Sequence, residues 1–154
     1  MALAFERRLI PHTTRPIEPA RHDAEHQLEI TVVFTSAPAT TAALKKAGAL
    51  ASKLRAHVTV VVPQIVPHPL PLESPPVLLD FSERRFAEIA KASPVDTMVR
   101  LYLCRDPLET IKAALRPHSL VVIGGRWRWW PTPEKRLARK LRREGHEVIF
   151  TESE

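Results

Sequence analysis

Three tryptophans and eight basic side chains are concentrated in one stretch of the chain, which has two adjacent glycines near its start. The stretch reads IGGRWRWWPTPEKRLARKLRR and covers residues 123–143. Glycines at the end of a strand can bring backbone N–H groups close to a phosphate. Arginines bind phosphate through paired donors, and indole rings stack on nucleobases. These residue types therefore indicate three candidate chemistries: a nucleotide pocket, a nucleic-acid surface, or an aromatic contact with a protein partner.

The basic character of the protein is confined to this stretch. Residues 126–143, called here the basic segment, carry eight Lys or Arg side chains and one acidic residue, Glu134, which gives a local net charge of +7. The rest of the chain carries 15 basic and 16 acidic residues. Because the charge is local rather than a property of the whole fold, it indicates an anionic partner at this one surface.

Other residues that often carry chemistry form no catalytic pattern. Cys104 precedes Arg105, which could lower the pKa of a thiol, but the chain has no second cysteine. Ser36 lacks the flanking glycines of a nucleophile elbow. The seven histidines do not follow the spacing of a helical zinc site. We therefore expect no enzymatic activity, no catalytic residues and no metal site, with Cys104 buried and the histidines exposed to solvent.

Length and composition are those of a globular domain. The 154 residues suit a single domain with a substantial core. No apolar run approaches the ~18 residues that a membrane-spanning helix needs. The first residues, MALAFERRLIPHTTRP, lack the continuous apolar stretch of a secretory signal. Since a single cysteine also excludes an internal disulfide, we expect a cytoplasmic protein without a transmembrane segment.

Apolar periodicity divides most of the chain into alternating strands and helices. Residues 1–27 mix prolines, histidines and charges, which predicts an extended or partly disordered arm ahead of a domain over 28–154. Runs of β-branched apolar residues predict buried strands, and apolar residues three and four apart predict helices. The predicted strands are 28–36, 57–62, 97–104, 119–125 and 146–152. The predicted helices are one after Pro38 that reaches Arg55, then 77–92, 107–115 and 133–143.

Prolines and capping residues mark several boundaries of these elements. Six prolines in residues 63–76 predict an extended connection that is neither helix nor central strand. Asp106-Pro107 and Thr132-Pro133 each combine a capping side chain with a proline in the first helical turn. The order β-α-β-α-β-α-β-α-β, with helix-length crossovers, predicts an α/β fold: a five-stranded parallel sheet with helices on both faces.

Two of these stretches resemble universal stress proteins. CRDPLETIKAALRPHSLVVIGGR, residues 104–126, resembles the segment in which a Gly-Asp-Pro turn opens a helix that leads to the fourth strand and its loop. ITVVFTS, residues 30–36, resembles the first strand of that family. The resemblance extends over about residues 28–152. It implies the Rossmann-like five-stranded sheet of the family, a homodimer and, as in one branch, a site for ATP.

The nucleotide motif of that family is incomplete in this sequence. Its ATP-binding members carry an Asp at the end of the first strand and a G-x-x-G-x9-G-(Ser/Thr) run that wraps the phosphates. Here Thr35 stands at the Asp position, Gly124 fits the first glycine and Trp127 replaces the second. No Gly-Ser or Gly-Thr pair follows, and Arg105 replaces the glycine of the Gly-Asp-Pro turn. The resemblance therefore implies a divergent member without family-type ATP binding.

The favoured hypothesis is a non-enzymatic domain of universal-stress-protein type without a cofactor, which acts through homodimer formation and contact with a protein partner. Its tryptophans (Trp127, Trp129, Trp130) then fill the vacant cleft or pack against a neighbouring subunit. The first alternative is a site for ATP or AMP whose phosphates contact Gly124, Gly125, Arg126 and Arg128. The second, less favoured, is a basic nucleic-acid-binding module that uses the tryptophans and the helix 133–143. The composition of that helix also fits an ordinary solvent-exposed face.

Overall fold

Strands and helices alternate along one parallel sheet. In the computed structural model, which describes residues 3–9, 28–66, 79–91 and 93–153, the strands are β1 (Leu3–Leu9), β2 (Glu29–Val33), β3 (His57–Ile65), β4 (Thr97–Cys104), β5 (Leu120–Arg126) and β6 (Glu147–Ser153). The helices are α1 (Ala37–Leu54), α2 (Leu79–Ala90), α3 (Pro107–Ala114) and α4 (Pro133–Arg143). The sheet order is β1-β4-β3-β2-β5-β6, with every pair parallel. The predicted α/β fold is confirmed, since β2 to β6 are the five predicted strands.

The sheet contains one strand more than predicted. β1 comes from the N-terminal arm and pairs with the outer edge of β4, from Leu3 opposite Thr97 to Leu9 opposite Leu103. Extended structure was expected of the arm, but membership of the sheet was not. Residues 10–27 lie outside the described part of the chain, so the division into arm and domain stays a prediction.

β3 runs through Pro63 to Ile65, three residues further than predicted. The expectation that residues 63–76 contain no central strand is therefore wrong at its first three positions, and residues 67–76 lie outside the described ranges. On the β2 side of β3, the carbonyl of Val61 accepts a hydrogen bond from Phe34 N at 2.9 Å, and the β2 pairing ends there. The backbone N of Pro63, two residues later, points to the same side of β3, where β2 no longer pairs. The proline therefore costs the ladder no hydrogen bond.

Each face of the sheet has its own apolar core. Successive side chains of a strand point to opposite faces. Val32 and Val122 accordingly join a cluster with α1 and α2, whereas Val33 and Ile123 join a cluster with α3 and α4. Helices therefore cover both faces, as predicted. Among the described residues, no helix combines the length and the apolar content needed to cross a membrane.

Capping side chains begin two of the helices as the sequence predicts. The Asp106 carboxylate accepts hydrogen bonds from Leu108 N at 3.0 Å and Glu109 N at 3.1 Å, at the start of α3. Thr132 Oγ1 accepts one from Lys135 N at 3.3 Å, at the start of α4. Both helices also carry a proline in the first turn. These caps fix where α3 and α4 leave the carboxyl edge of the sheet.

Candidate functional site

The crevice where ligands bind in doubly wound sheets lies between β2 and β5. The chain builds the sheet outward from β2 through β3 to β4, then crosses back to place β5 on the other side of β2. The carboxyl ends of β2 and β5 therefore form the topological switch point. Thr35 and Ser36 follow β2 there, and Gly124 and Gly125 lie at the end of β5. The structure thus brings together two stretches that the sequence separates by nearly ninety residues.

Thr35 bridges the two strand ends. Its hydroxyl donates to the carbonyl of Gly124 at 2.8 Å, and its backbone N–H donates to Thr40 Oγ1 in α1 at 3.2 Å. The residue at the position of the family's aspartate is thus used to join β2, β5 and α1. An aspartate there would carry a charge next to the Gly124 carbonyl and would have no hydroxyl proton to donate. The two hydrogen bonds of Thr35 therefore hold the ends of β2 and β5 together with α1 at the base of the crevice.

The two glycines are strand residues rather than a phosphate-wrapping turn. Both are buried, pair with β6 and lack a positive φ angle. A Cβ on Gly124 would lie 1.9 Å from the carbonyl oxygen of Ala39, so this glycine allows the first turn of α1 to pack directly on β5. A Cβ on Gly125 would lie 2.5 Å from Phe150 Cζ. The Gly-Gly pair is therefore explained by close packing.

An open cleft of about 390 Å³ lies directly beyond these strand ends. The N-termini of α1 and α4 both border it, and its walls include Ser36, Pro38, Gly125, Arg126, Arg128, Trp130, Pro131, Thr132, Pro133 and Glu134. Three of the four predicted phosphate contacts therefore meet here, whereas Gly124 does not line the cleft. Two guanidinium groups and two helix N-termini favour an anion, although the Glu134 carboxylate opposes one.

A second, more apolar cleft of about 560 Å³ lies on the other side of the α4 N-terminus. Its walls include Phe34, Thr35, Pro63, Ile65, Leu108, Ile111 and Leu137, and Pro133 and Glu134 line both clefts. This cleft could not be predicted from the sequence, because it depends on the extension of β3 and on the first turn of α3. The signal in the sequence is Ile65, an apolar residue just beyond the predicted end of the strand. In the structure Ile65 ends β3 and is 53% exposed.

None of the tryptophans fills the cleft. Trp127 is 66% exposed, Trp129 is 82% exposed and Trp130 is 48% exposed. Only Trp130 lines the cleft, and the cleft remains open beside it. The expectation that an indole occupies the vacant nucleotide space is therefore wrong for this chain. Its companion expectation, that the indoles pack against a neighbouring subunit, stays a prediction.

The loop that carries the tryptophans is nevertheless anchored. Residues 127–131, called here the Trp loop, are tied to α4 by Lys135, whose ammonium donates to the carbonyl of Arg128. The Arg128 guanidinium lies 5.4 Å from the centre of the Trp130 ring, a cation–π contact. Trp129 meets Trp130 edge to face, with ring centres 5.5 Å apart. Trp130 therefore supports the loop from within, and Trp127 and Trp129 project into solvent.

α4 separates its apolar and basic side chains onto opposite faces. Ala138 and Leu141 are buried against β5 and β6, and Leu137 is half-buried. Four exposed basic residues, called here the basic stripe, follow the i, i+3, i+4, i+7 spacing of one helical face: Arg136, Arg139, Lys140 and Arg143. At 100° per residue this face points away from the sheet. The basic stripe therefore faces solvent.

Cys104 is a buried side chain, as expected, and its surroundings oppose ionisation. Burial raises the pKa of the thiol above its ordinary value, and the nearby Asp106 charge acts in the same direction. A hydrogen bond with the Thr110 side chain acts in the opposite direction on this pKa. The Arg105 guanidinium donates to the carbonyl of Val66 at 2.9 Å. The part of the chain that the structure describes contains no group of three His, Cys, Asp or Glu side chains placed to hold a metal.

We expect Cys104 to react with an aromatic disulfide reagent on the order of 100-fold more slowly in the folded chain than in urea at pH 8. Between the ordinary thiol pKa and the raised value, the unfolded chain loses the thiol proton while the folded chain keeps it. This contribution to stability is intact below the ordinary thiol pKa and is lost as the pH rises through the raised value. Stopped-flow absorbance of the released aromatic thiolate measures the reaction rate of Cys104. Equal rates in the folded chain and in urea would contradict the buried position of Cys104.

Solved structures with a similar backbone are universal stress proteins. One from the universal stress protein family of Burkholderia pseudomallei aligns with 81% of this chain and 96% of its own, at a TM-score of 0.55 and 20% sequence identity. A universal stress protein in complex with cAMP aligns with 83% of this chain and 98% of its own, at a TM-score of 0.47 and 16% identity. No protein-family profile and no curated protein matches the sequence. The alignment with the Burkholderia pseudomallei protein shows that the chain has the universal stress protein fold that its sequence implied.

Proposed function

We propose that this chain is a non-enzymatic binding domain of the universal stress protein fold, with the Trp loop as its contact surface. The observation that carries the proposal is the exposure of Trp127 and Trp129, at 66% and 82%, on a loop that is held in place. Large aromatic side chains left uncovered together mark interaction sites, and tryptophan dominates the energy of many interfaces. A cytoplasmic homodimer that needs no cofactor belongs to the same proposal.

The anchoring of the loop strengthens this reading. A contact surface that is already ordered loses less conformational entropy on binding than a flexible one. The Lys135 bond and the Arg128–Trp130 contact both restrain the loop before any partner arrives. Trp127 and Trp129 are therefore held on a loop that is already ordered before a partner binds.

Sedimentation at two protein concentrations tests self-association through this surface. We expect a concentration-dependent dimer, and we expect Trp127→Ala/Trp129→Ala to weaken it by at least about tenfold. Phe81→Ala is the matched control, because Phe81 is a 62% exposed aromatic residue on α2; its variant should dimerise like the wild type. A monomer at both concentrations, or equal dissociation constants for the two variants, would contradict self-association through the loop.

A second candidate function, nucleotide binding, is favoured by the open cleft at the switch point. Arg126 and Arg128 line it with the N-termini of α1 and α4, and the apolar cleft adjoins it. In this arrangement the arginines bind the phosphates in place of the missing glycine loop, and the apolar cleft accepts the base.

Fluorescence of a Trp127→Phe/Trp129→Phe variant tests nucleotide binding, because Trp130 on the cleft wall is then the sole indole. ATP should quench or shift this emission, and Arg126→Ala in the same background should weaken the response about tenfold. Lys45→Ala, an exposed charge loss on α1, is the control. An unchanged spectrum up to about millimolar ATP, the weak end of specific binding, would eliminate this function.

A further inference from the structure

We infer that the Trp loop and the basic stripe of α4 together bind single-stranded nucleic acid, with phosphates along the stripe and an unpaired base stacked on Trp129. This inference rests on the proposed function, since it requires the Trp loop to be a contact surface. It goes further by naming the chemical class of the partner. Three observations carry it: the continuity of the two surfaces, the outward direction of the charge, and the exposure of the indoles.

The Trp loop and α4 form one continuous unit. Thr132, which caps α4, follows the Trp loop directly, and Lys135 in the first turn of α4 donates back to the carbonyl of Arg128. The basic stripe begins one residue later, at Arg136, and ends at Arg143. At 1.5 Å per residue it extends for about 10 Å. An aromatic platform therefore adjoins a row of cations long enough for a few nucleotides.

The packing of α4 decides how its charge can be used. Leu141 is fully buried and Ala138 is 2% exposed, so the apolar side of the helix is already occupied by the core. An amphipathic helix that lies in a membrane surface needs that side for the lipid. The accessible side chains of α4 are therefore mainly those of the basic stripe, of which Arg136 and Lys140 also line the apolar cleft beside Leu137. Such a row of cations attracts a polyanion.

The indoles select the class of polyanion. Trp129 is 82% exposed, so most of its ring surface remains available for stacking beside the edge-to-face contact with Trp130. Aromatic rings beside arginines bind single strands because every unpaired base offers a ring face of its own. Bases inside a duplex are already stacked, and an acidic peptide could satisfy the cations without any use for the exposed rings. The combination therefore favours a single strand over both.

The charge distribution agrees with this partner. The basic segment has a local net charge of +7, with Glu134 its sole acid, whereas the rest of the chain has slightly more acidic than basic residues. A phosphate backbone is therefore attracted to one surface and not to the protein at large. Because bound phosphates release counterions, the affinity must fall as the salt concentration rises. For a single strand, a plot of log affinity against log salt concentration falls with a slope of about 0.7 per contacted phosphate.

Fluorescence anisotropy with labelled 12-mers of deoxythymidine and of uridine tests the inference across a range of salt concentrations. We expect Trp129→Ala to weaken binding about tenfold without changing the salt slope. Arg136→Ala/Arg139→Ala/Arg143→Ala should weaken binding and reduce the slope by about 2. The matched control is Lys45→Ala/Lys46→Ala/Lys53→Ala, which removes three exposed charges from α1 on the opposite face of the sheet. This control should bind like the wild type.

Four outcomes would overturn the inference: no binding of either 12-mer at low salt, equal loss in the α1 control, an unchanged affinity after Trp129→Ala, or tighter binding of duplex DNA, polyglutamate or anionic lipid vesicles. Circular dichroism confirms that each variant is folded. Sedimentation of the same Trp129→Ala sample separates the two proposals. If Trp129→Ala weakens the dimer while the wild-type chain binds neither 12-mer, the partner class is wrong and the contact surface stands. If Trp129→Ala changes neither the dimer nor the affinity for the 12-mers, both proposals fail.

Discussion

Gly124→Ala lowers the free energy of unfolding by on the order of 3 kcal/mol. The added methyl group would lie 1.9 Å from the carbonyl oxygen of Ala39 and 2.5 Å from its carbonyl carbon. Both atoms belong to the backbone of α1, so no side-chain rotation relieves the overlap. Either α1 or β5 must move, and such a shift breaks the Thr35 hydrogen bond to the Gly124 carbonyl as well.

Gly125→Ala is the natural comparison for this variant. Its methyl group would meet Phe150 Cζ at 2.5 Å and Glu134 Cβ at 3.3 Å, both side-chain atoms. Because the Phe150 ring can tilt, we expect a smaller loss, about 1 kcal/mol. Urea denaturation of the two variants measures the difference. A Gly124→Ala chain as stable as wild type, or one less affected than Gly125→Ala, would show that Gly124 serves something other than the approach of α1.

Leu141→Ala lowers the free energy of unfolding by about 2–5 kcal/mol. Leu141 is fully buried in the core between α3, α4 and the sheet, and the other buried side chain of α4 is only an alanine, Ala138. The rest of that helix face is the half-buried Leu137. A truncated Leu141 therefore leaves a cavity under the helix at its main attachment point, so α4 should also open locally before the rest of the domain.

Leu54→Ala is the control for that variant, because Leu54 is 49% exposed at the end of α1. We expect it to cost less than about 1 kcal/mol. Urea denaturation gives the global effect, and hydrogen exchange at the amides of α4 gives the local one. Unchanged protection of α4 in Leu141→Ala, with a loss no larger than that of Leu54→Ala, would contradict the role assigned to this leucine.

The strands and helices of the domain were predictable because their signals are local. Buried runs such as HVTVVV keep apolar side chains on both faces, and Asp106 and Thr132 cap their helices wherever the helices pack. β1 was not predictable in this way. An edge strand needs only one neighbour, and LAFERRL carries three charged residues in place of an apolar run. Its membership of the sheet depends on the open edge of β4.

The candidate site was predictable in position but not in character. Its location follows from strand order, which brings Thr35 and Gly124 together at the switch point. What the site contains depends on the directions of side chains in a loop, which no periodicity determines. Trp127 stands where the family motif has a glycine, and that alone suggested a blocked pocket. The structure turns Trp127 outward instead and leaves the cleft open beside it.

The added strand β1 has a consequence for aggregation of the chain at high protein concentration. Its partner β4 carries Val99, Leu101 and Leu103, each 6% exposed or less, and would be the outermost strand without it. A bare apolar edge is a template on which further chains can add in register. β1 pairs with seven consecutive positions of that edge, and its sequence, LAFERRL, contains three charged residues. We therefore expect a chain that lacks residues 3–9 to aggregate more readily through β4, at the edge of the sheet farthest from the tryptophans.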